Sequence, residues 1–178
     1  MTQPLPTALV LASGRGERFF ASGGQTHKLK ALLSGKPVLQ HVIDAVKASG
    51  LPYHVEDVGH PGMGDSIAAA IRATPDASGW LVLPGDLPLI QAATLRLLAE
   101  KLARYEVVIP VCNGLRGHPV GFSRICRDQL MQLKGNQGAA LVAHSHVVME
   151  IPVGDVGTIT DIDTLDDLAR AQALLDSR

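Results

Sequence analysis

The chain has 178 residues, 46% of them hydrophobic and 19% charged, which suffices for one core and is too short for two comfortable domains. A formal net charge of −1 and an aromatic content of 3% leave neither the basic face nor the stacking platforms that nucleic-acid binding needs. No apolar run approaches membrane-spanning length, and Met1 to Pro6 carries no basic or long apolar segment. The expectation is one globular domain over 1–178, cytoplasmic, acting on small molecules, with no nucleic acid and no membrane among its partners. Cys112 and Cys126 form no Cys-x-x-Cys pair and read as reduced, structural thiols.

Residues 8–11 are wholly apolar, as in a buried parallel strand, and run directly into a glycine-rich loop. Val38, Val42, Ile43 and Val46 recur at helical spacing and predict a helix over 37–49, ended by Gly50. A strand is predicted over 53–58, a helix over 67–73 with Asp65 or Ser66 as N-cap, and a buried strand over 80–83. An amphipathic helix over 95–105, a β-branched strand over 107–111 and a short strand over 120–122 follow. Helices over 125–133, 139–144 and 165–175, with a strand over 147–153, complete the order. Such alternation predicts a three-layer α/β/α domain with a mostly parallel sheet, whose site lies at the carboxyl ends of the strands.

The polar motifs fall at those ends. Gly14 and Gly16 let the first loop turn sharply and expose backbone N–H groups, while Arg15, Arg18 and Lys28 place cationic donors around the same mouth. The loop suits phosphates, yet it has neither the Walker A spacing nor the third glycine of the dinucleotide fingerprint. Asp86 stands just beyond a central strand, where a lone carboxylate suits nucleotide-bound Mg²⁺; Pro-Gly-Asp is also ordinary turn vocabulary. Asp161 and Asp163, two apart, share one face of an extended segment, a pattern open to metal ligation or to a solvated loop. Thr164 as N-cap, with Asp166 and Asp167 complementing the helix dipole, accounts for the other two acids of that cluster. His144-x-His146 lacks a third metal ligand at any recognisable spacing, and no Gly-x-Ser-x-Gly elbow supports a hydrolase.

An ordered set of motifs resembles the molybdenum-cofactor nucleotidyltransferases, a group of Rossmann-like nucleotidyltransferases. They are Leu11-Ala-Ser-Gly-Arg-Gly-Glu-Arg18, His27-Lys28-Leu29, Gly62-Met-Gly-Asp-Ser66, Gly85-Asp-Leu-Pro88, Gly117-His-Pro-Val-Gly-Phe122, Gly135-Asn-Gln-Gly-Ala139 and Asp161-Ile-Asp-Thr164. Leu-Ala-Ser-Gly in the first loop is similar to the cytidylyltransferase branch rather than to the Gly-Gly form of the guanylyl branch. The resemblance implies transfer of CMP from CTP to the terminal phosphate of molybdopterin, with Mg²⁺ and release of pyrophosphate. It implies that Leu11, Ala12, Ser13, Gly14 and Gly85 line the nucleotide. It places Arg15 and Arg18 on the β- and γ-phosphates and Lys28 on the α-phosphate. It gives Mg²⁺ to Asp86, with Asp161 or Asp163 as second ligand, and sets Gly62, Met63 and Ser66 beside the base and ribose. His118 and Asn136 are implied on the acceptor side, and a molybdenum hydroxylase as a transient partner.

The chain departs from that family pattern in two places. Phe19 to Thr26 makes a longer path to Lys28, and Asn136 and Ala140 replace a common aspartate and a common arginine. These changes leave open a GTP-dependent reaction, a sugar phosphate or another phosphorylated acceptor, and a non-catalytic cofactor-binding chaperone of a molybdoenzyme.

Overall fold

A computed structural model describes residues 3–178. Its strands, in chain order, are β1 (Thr7–Leu11), β2 (Leu32–Leu33), β3 (Lys36–Pro37), β4 (Tyr53–Glu56), β5 (Gly79–Pro84), β6 (Val107–Cys112), β7 (Leu115–Arg116), β8 (Val120–Ser123) and β9 (Val148–Pro152). The helices are α1 (Glu17–Ala21), α2 (Val38–Ser49), α3 (Met63–Ala73), α4 (Ala92–Lys101), α5 (Arg127–Met131), α6 (Ala140–Ala143) and α7 (Leu165–Asp176).

The main sheet runs β4-β1-β5-β8-β6-β7, with β9 on the other side of β6. Strand β1 pairs in parallel with both β4 and β5, and β6 with β9, whereas β7 and β8 run against the rest. Alternation of side chains sends Ala8, Val10, Leu81 and Leu83 to one face, under α2 and α4. Leu9, Trp80 and Val82 go to the other, where α3, α5 and α6 supply Ile67, Ile71, Leu130 and Val142. This is the expected three-layer Rossmann-like α/β/α arrangement.

Two registers position the site. Leu11 is level with Glu56 on one side and Pro84 on the other, so the loops after β1, β4 and β5 leave from one edge. The antiparallel β8 pairs Val120 with Val82, which brings the residues before it, 117–119, back to that same carboxyl edge.

Local differences from the sequence expectations have tertiary causes. Helix α3 begins at Met63, a turn before the predicted start, and its N-cap is Gly62, not Asp65 or Ser66. The 134–137 segment packs against that first turn, with Gly64 N–H donating to Gly135 O at 2.9 Å. Helix α4 begins at Ala92 rather than Leu95 because buried Asp155 accepts from Gln91 N at 2.9 Å and Thr94 Oγ1 at 2.7 Å. The lengthened 19–26 path folds: α1 buries Phe19 against Leu29, Leu33, Val38, Leu89 and Ile162, and Ser22 Oγ accepts from Leu165 N at 3.0 Å. Thr164 caps α7 as expected, in a capping box with Asp167. No helix among the described residues is long and apolar enough to cross a membrane.

Candidate active site

The site is built where β1, β4 and β5 end. Gly85 N–H donates to Leu11 O at 2.9 Å, tying the loop after β5 to that after β1, and Ala12 N–H donates to Glu56 O at 2.9 Å. Ser13 and Ser66 share a hydrogen bond of 2.7 Å between their hydroxyls, joining the glycine loop to α3. Gly16 adopts a left-handed φ of 69°, which L side chains rarely take, and starts α1. Arg15 is exposed on this loop, and Arg18 is exposed on the first turn of α1.

His27 ties the loop to the lysine. Its Nε2 donates to Gly14 O and its Nδ1 accepts from Leu29 N, one neutral tautomer serving both bonds. The next residue, Lys28, opens a short 3₁₀ turn and points across the cleft. Its Nζ donates to Asp86 Oδ2 at 2.7 Å and to Asp163 Oδ1 at 3.0 Å, and Arg18 approaches Asp163 Oδ2 at 3.2 Å. Ile162 N–H donates to Asp86 O at 2.9 Å, locking the C-terminal acidic segment against the loop after β5. Residues 58 and 135 positions apart from Lys28 thus meet on one ammonium.

Electrostatics follow from this crowding. Burial works against the Lys28 ammonium, but the charges and hydrogen bonds of Asp86 and Asp163 outweigh it and hold its pKa above the ordinary value. Burial likewise works against ionised Asp163, and the hydrogen bond and charge of Lys28, with Arg18, outweigh it and hold that carboxyl low. Asp161 lacks the lysine; burial and the charge of Asp86 raise it. Oxygens of Asp86, Asp161 and Asp163 all lie within 4.8 Å of one another, a hard, anionic donor set that fits Mg²⁺ or Mn²⁺.

His118 stands towards Asp86, its backbone N–H donating to Thr158 O at 2.9 Å. Crowding of the ring by the protein lowers its pKa, and the charge of Asp86 opposes the shift. Asn136 lies elsewhere. A Cβ on Gly62 would fall 2.1 Å from Gly135 O and 2.9 Å from Asn136 Oδ1, so Asn136 borders the start of α3, beside Gly62, Met63 and Ser66. Asn136 thus borders the cleft from the α3 side, and His118 from the side of Asp86.

Sequence reasoning passed over one cluster at this edge. Glu56, buried at the end of β4, receives His54 Nε2 on Oε2 and His60 Nε2 on Oε1, each at 2.9 Å. Burial raises the Glu56 pKa, but the hydrogen bonds from His60 and His54 outweigh it and hold the carboxyl below its ordinary value. The sequence signal was a His-x-Glu-x-x-x-His spacing in which the first pair shares a strand face. Elsewhere, His146 is held between Glu106 and Gln129. Cys112 and Cys126 are both free and buried, burial pushing the Cys126 thiol up to about 11.

Fold and cleft together define a Rossmann-like nucleotidyltransferase domain. Residues 45–149 match the model of the MobA-like NTP transferase domain, and the chain belongs to that family. Rv0371c from Mycobacterium tuberculosis H37Rv superimposes with a TM-score of 0.81 at 26% identity, covering 97% of this chain and 100% of that one. Molybdopterin-guanine dinucleotide biosynthesis protein A from Archaeoglobus fulgidus shares the fold, with a TM-score of 0.71 at 20% identity over 97% of this chain and 100% of its own. In sequence, the bifunctional protein GlmU of Syntrophomonas wolfei is 31% identical over 145 residues, 69% of this chain and 32% of that protein. The chain thus spans about a third of the length of the curated relatives it matches. The matched stretch contains Asp86 and the 62–66 turn; the glycine loop, Lys28 and Asp163 lie outside it and join the site through the contacts described above.

Proposed function

We propose that this protein transfers a nucleotidyl group from an NTP to the phosphate of a small acceptor, releasing pyrophosphate. The observation that carries this reading is the meeting of Lys28, Asp86, Asp163 and Arg18 beside the glycine loop. Two anions must be brought together and charge developing on phosphoryl oxygens must be neutralised, which calls for cations and amide donors rather than a nucleophilic side chain.

The roles follow from position. Backbone groups of Ala12, Ser13 and Gly14 orient the triphosphate, Arg15 and Arg18 reach its β- and γ-phosphates from solvent, and Lys28 leaves the carboxylates to meet the α-phosphate oxygens. Asp86, with Asp161 or Asp163, would hold Mg²⁺, which when bound supplies charge neutralisation at the phosphate oxygens. Leu11 and Gly85 form the floor beneath the nucleotide, while Gly62, Met63 and Ser66 border its base and ribose. His118, with its depressed pKa, presents a neutral imidazole at neutral pH on the acceptor side.

For substrates, the first reading is CTP and molybdopterin, supported by the MobA-like domain and by the Leu-Ala-Ser-Gly loop. A sugar phosphate as acceptor is the second, favoured by the sequence similarity to GlmU. The test incubates the protein with Mg²⁺, each NTP in turn, and either molybdopterin or a panel of sugar phosphates, and measures pyrophosphate and product. Pyrophosphate and a cytosine dinucleotide with CTP and molybdopterin support the first reading, and a nucleotide sugar supports the second. Tight cofactor binding with no product from any pair overturns the enzyme and leaves a cofactor chaperone.

A further inference from the structure

We propose that the His54–Glu56–His60 clamp sets the nucleotide-base side of the cleft, making Glu56 and His60 positioning residues for NTP selection. Glu56 ends β4 level with Leu11, so its side chain sits at the edge from which the glycine loop departs. Its two carboxylate oxygens are engaged separately, Oε2 by His54 and Oε1 by His60, each at 2.9 Å. The partners differ in kind. His54 belongs to the same strand, two residues back, and is as rigid as the sheet; His60 belongs to the loop between β4 and α3. The pair of bonds therefore staples that loop to the strand end, leaving it little freedom to swing away from the cleft.

What the staple positions is the turn at Gly62. From His60 the chain needs two residues to reach Gly62, which caps α3, and four more to reach Ser66, whose hydroxyl meets Ser13 in the glycine loop. From the opposite side, Gly135 O receives Gly64 N–H, and Gly135 leaves no room for a side chain at Gly62. The wall at 57–62 is thus held on one flank by the Glu56 clamp and on the other by the 134–137 segment. A carboxylate buried without such donors is costly, so the clamp forms together with the wall or not at all. His54 and His60 have both Nε2 atoms on Glu56, and the three residues are a hydrogen-bonded brace rather than a metal site. Among the described residues, convergent metal-ligating atoms occur only at Asp86, Asp161 and Asp163.

The proposal rests on nucleotide binding at this cleft, and the experiment separates the two. CTP and GTP dissociation constants are measured by calorimetry for wild type, His60→Ala, His60→Gln and Glu56→Gln. Turnover at saturating NTP and amide hydrogen exchange over 57–62 are followed in parallel. His60→Ala is expected to weaken the preferred NTP about tenfold, the loss of roughly one buried hydrogen bond to a charged group, and to narrow the CTP/GTP ratio. Its kcat should stay within about twofold of wild type and exchange over 57–62 should rise, because the bond acts before chemistry. His60→Gln, whose amide still donates to Glu56, is expected to recover most of the affinity. Glu56→Gln should behave like His60→Ala, which keeps the test decisive if the alanine variant fails to fold. Wild type that binds NTP while both clamp variants bind it equally well, with unchanged exchange, overturns the clamp alone. Loss of kcat at unchanged KM also overturns it. Wild type that binds no NTP overturns the nucleotide site and the clamp with it.

Discussion

Lys28→Met removes the one ammonium that Asp86 and Asp163 share and keeps the length of the side chain. The side chains of Lys28, Asp86 and Asp163 are only 15%, 15% and 21% exposed, so their charges are poorly replaced by water when one is deleted. At an effective dielectric of about 20, a charge pair near 3 Å attracts by about 5 kcal/mol, most of it offset by the desolvation already incurred. Deleting one partner of a buried pair typically costs about 3–5 kcal/mol; here the cleft is open on one side and Arg18 still faces Asp163, which lowers the expectation to about 2–3 kcal/mol. For a chain of this size that is a fall in Tm of about 5–10 °C. Denaturant melts in EDTA and in excess Mn²⁺ provide the assay. The variant should be the less stable in EDTA and should gain more from Mn²⁺ than wild type does, because a divalent cation then meets three carboxylates with no ammonium in the way. Equal stability in EDTA, within about 0.5 kcal/mol, would show that the lysine does not balance these carboxylates and would refute the reasoning.

Three further outcomes are expected. Gly62→Ala puts a Cβ 2.1 Å from Gly135 O, so one backbone must move; a loss of about 1–3 kcal/mol by chemical denaturation and weaker NTP binding should follow, and an unchanged crystal structure with full affinity would contradict this. Asp155→Ala strips the acceptor from Gln91 N, Thr94 Oγ1 and Gly157 N; the expected loss is about 3 kcal/mol or more by chemical denaturation, and a loss under about 1 kcal/mol would contradict this. Acid titration should show a carboxylate contribution of defined sign. Asp163 and Glu56 are held below their ordinary values of 3.8 and 4.5, so the stability they add is present above those values and lost as pH falls through the lower folded ones. In Glu56→Gln that acid-side loss should shrink, as measured by melts between neutral pH and pH ~3.

The long apolar strands and amphipathic helices were readable because burial in a parallel sheet demands continuous apolar runs, as in Thr7–Leu11 and Gly79–Pro84. The short elements were not. Helix α1 and the β2–β3 hairpin are too brief to carry periodicity and exist because Phe19 and Leu33 enter a core completed by Ile162 and Ala171 from the other end of the chain. The start of α3 differs from the expected one for a similar reason: Asp65 and Ser66 offer side-chain caps, whereas the helix begins at a glycine pressed against Gly135. In the site, Asp86 was legible from its strand-end position and Lys28 as a cation following the glycine loop, and the sharing of one ammonium by Asp86 and Asp163 was not, since it depends on how the 158–164 segment returns to the cleft. The contact of the 134–137 segment with the first turn of α3 was likewise not legible, because it is a choice made by packing that local sequence does not encode.

The most direct test of nucleotidyl transfer follows the fate of two labels. NTP carrying label on its α-phosphorus, incubated with the protein, Mg²⁺ and the accepted phosphate acceptor, should pass that label to the acceptor product, while label on the γ-phosphorus should appear only in pyrophosphate. Asp86→Ala and Lys28→Ala should each lower the rate at least about a hundredfold, as expected when a preorganised charge is withdrawn from the transition state. Appearance of the γ-label on the acceptor, or α-label transfer at the wild-type rate in either variant, would contradict the account.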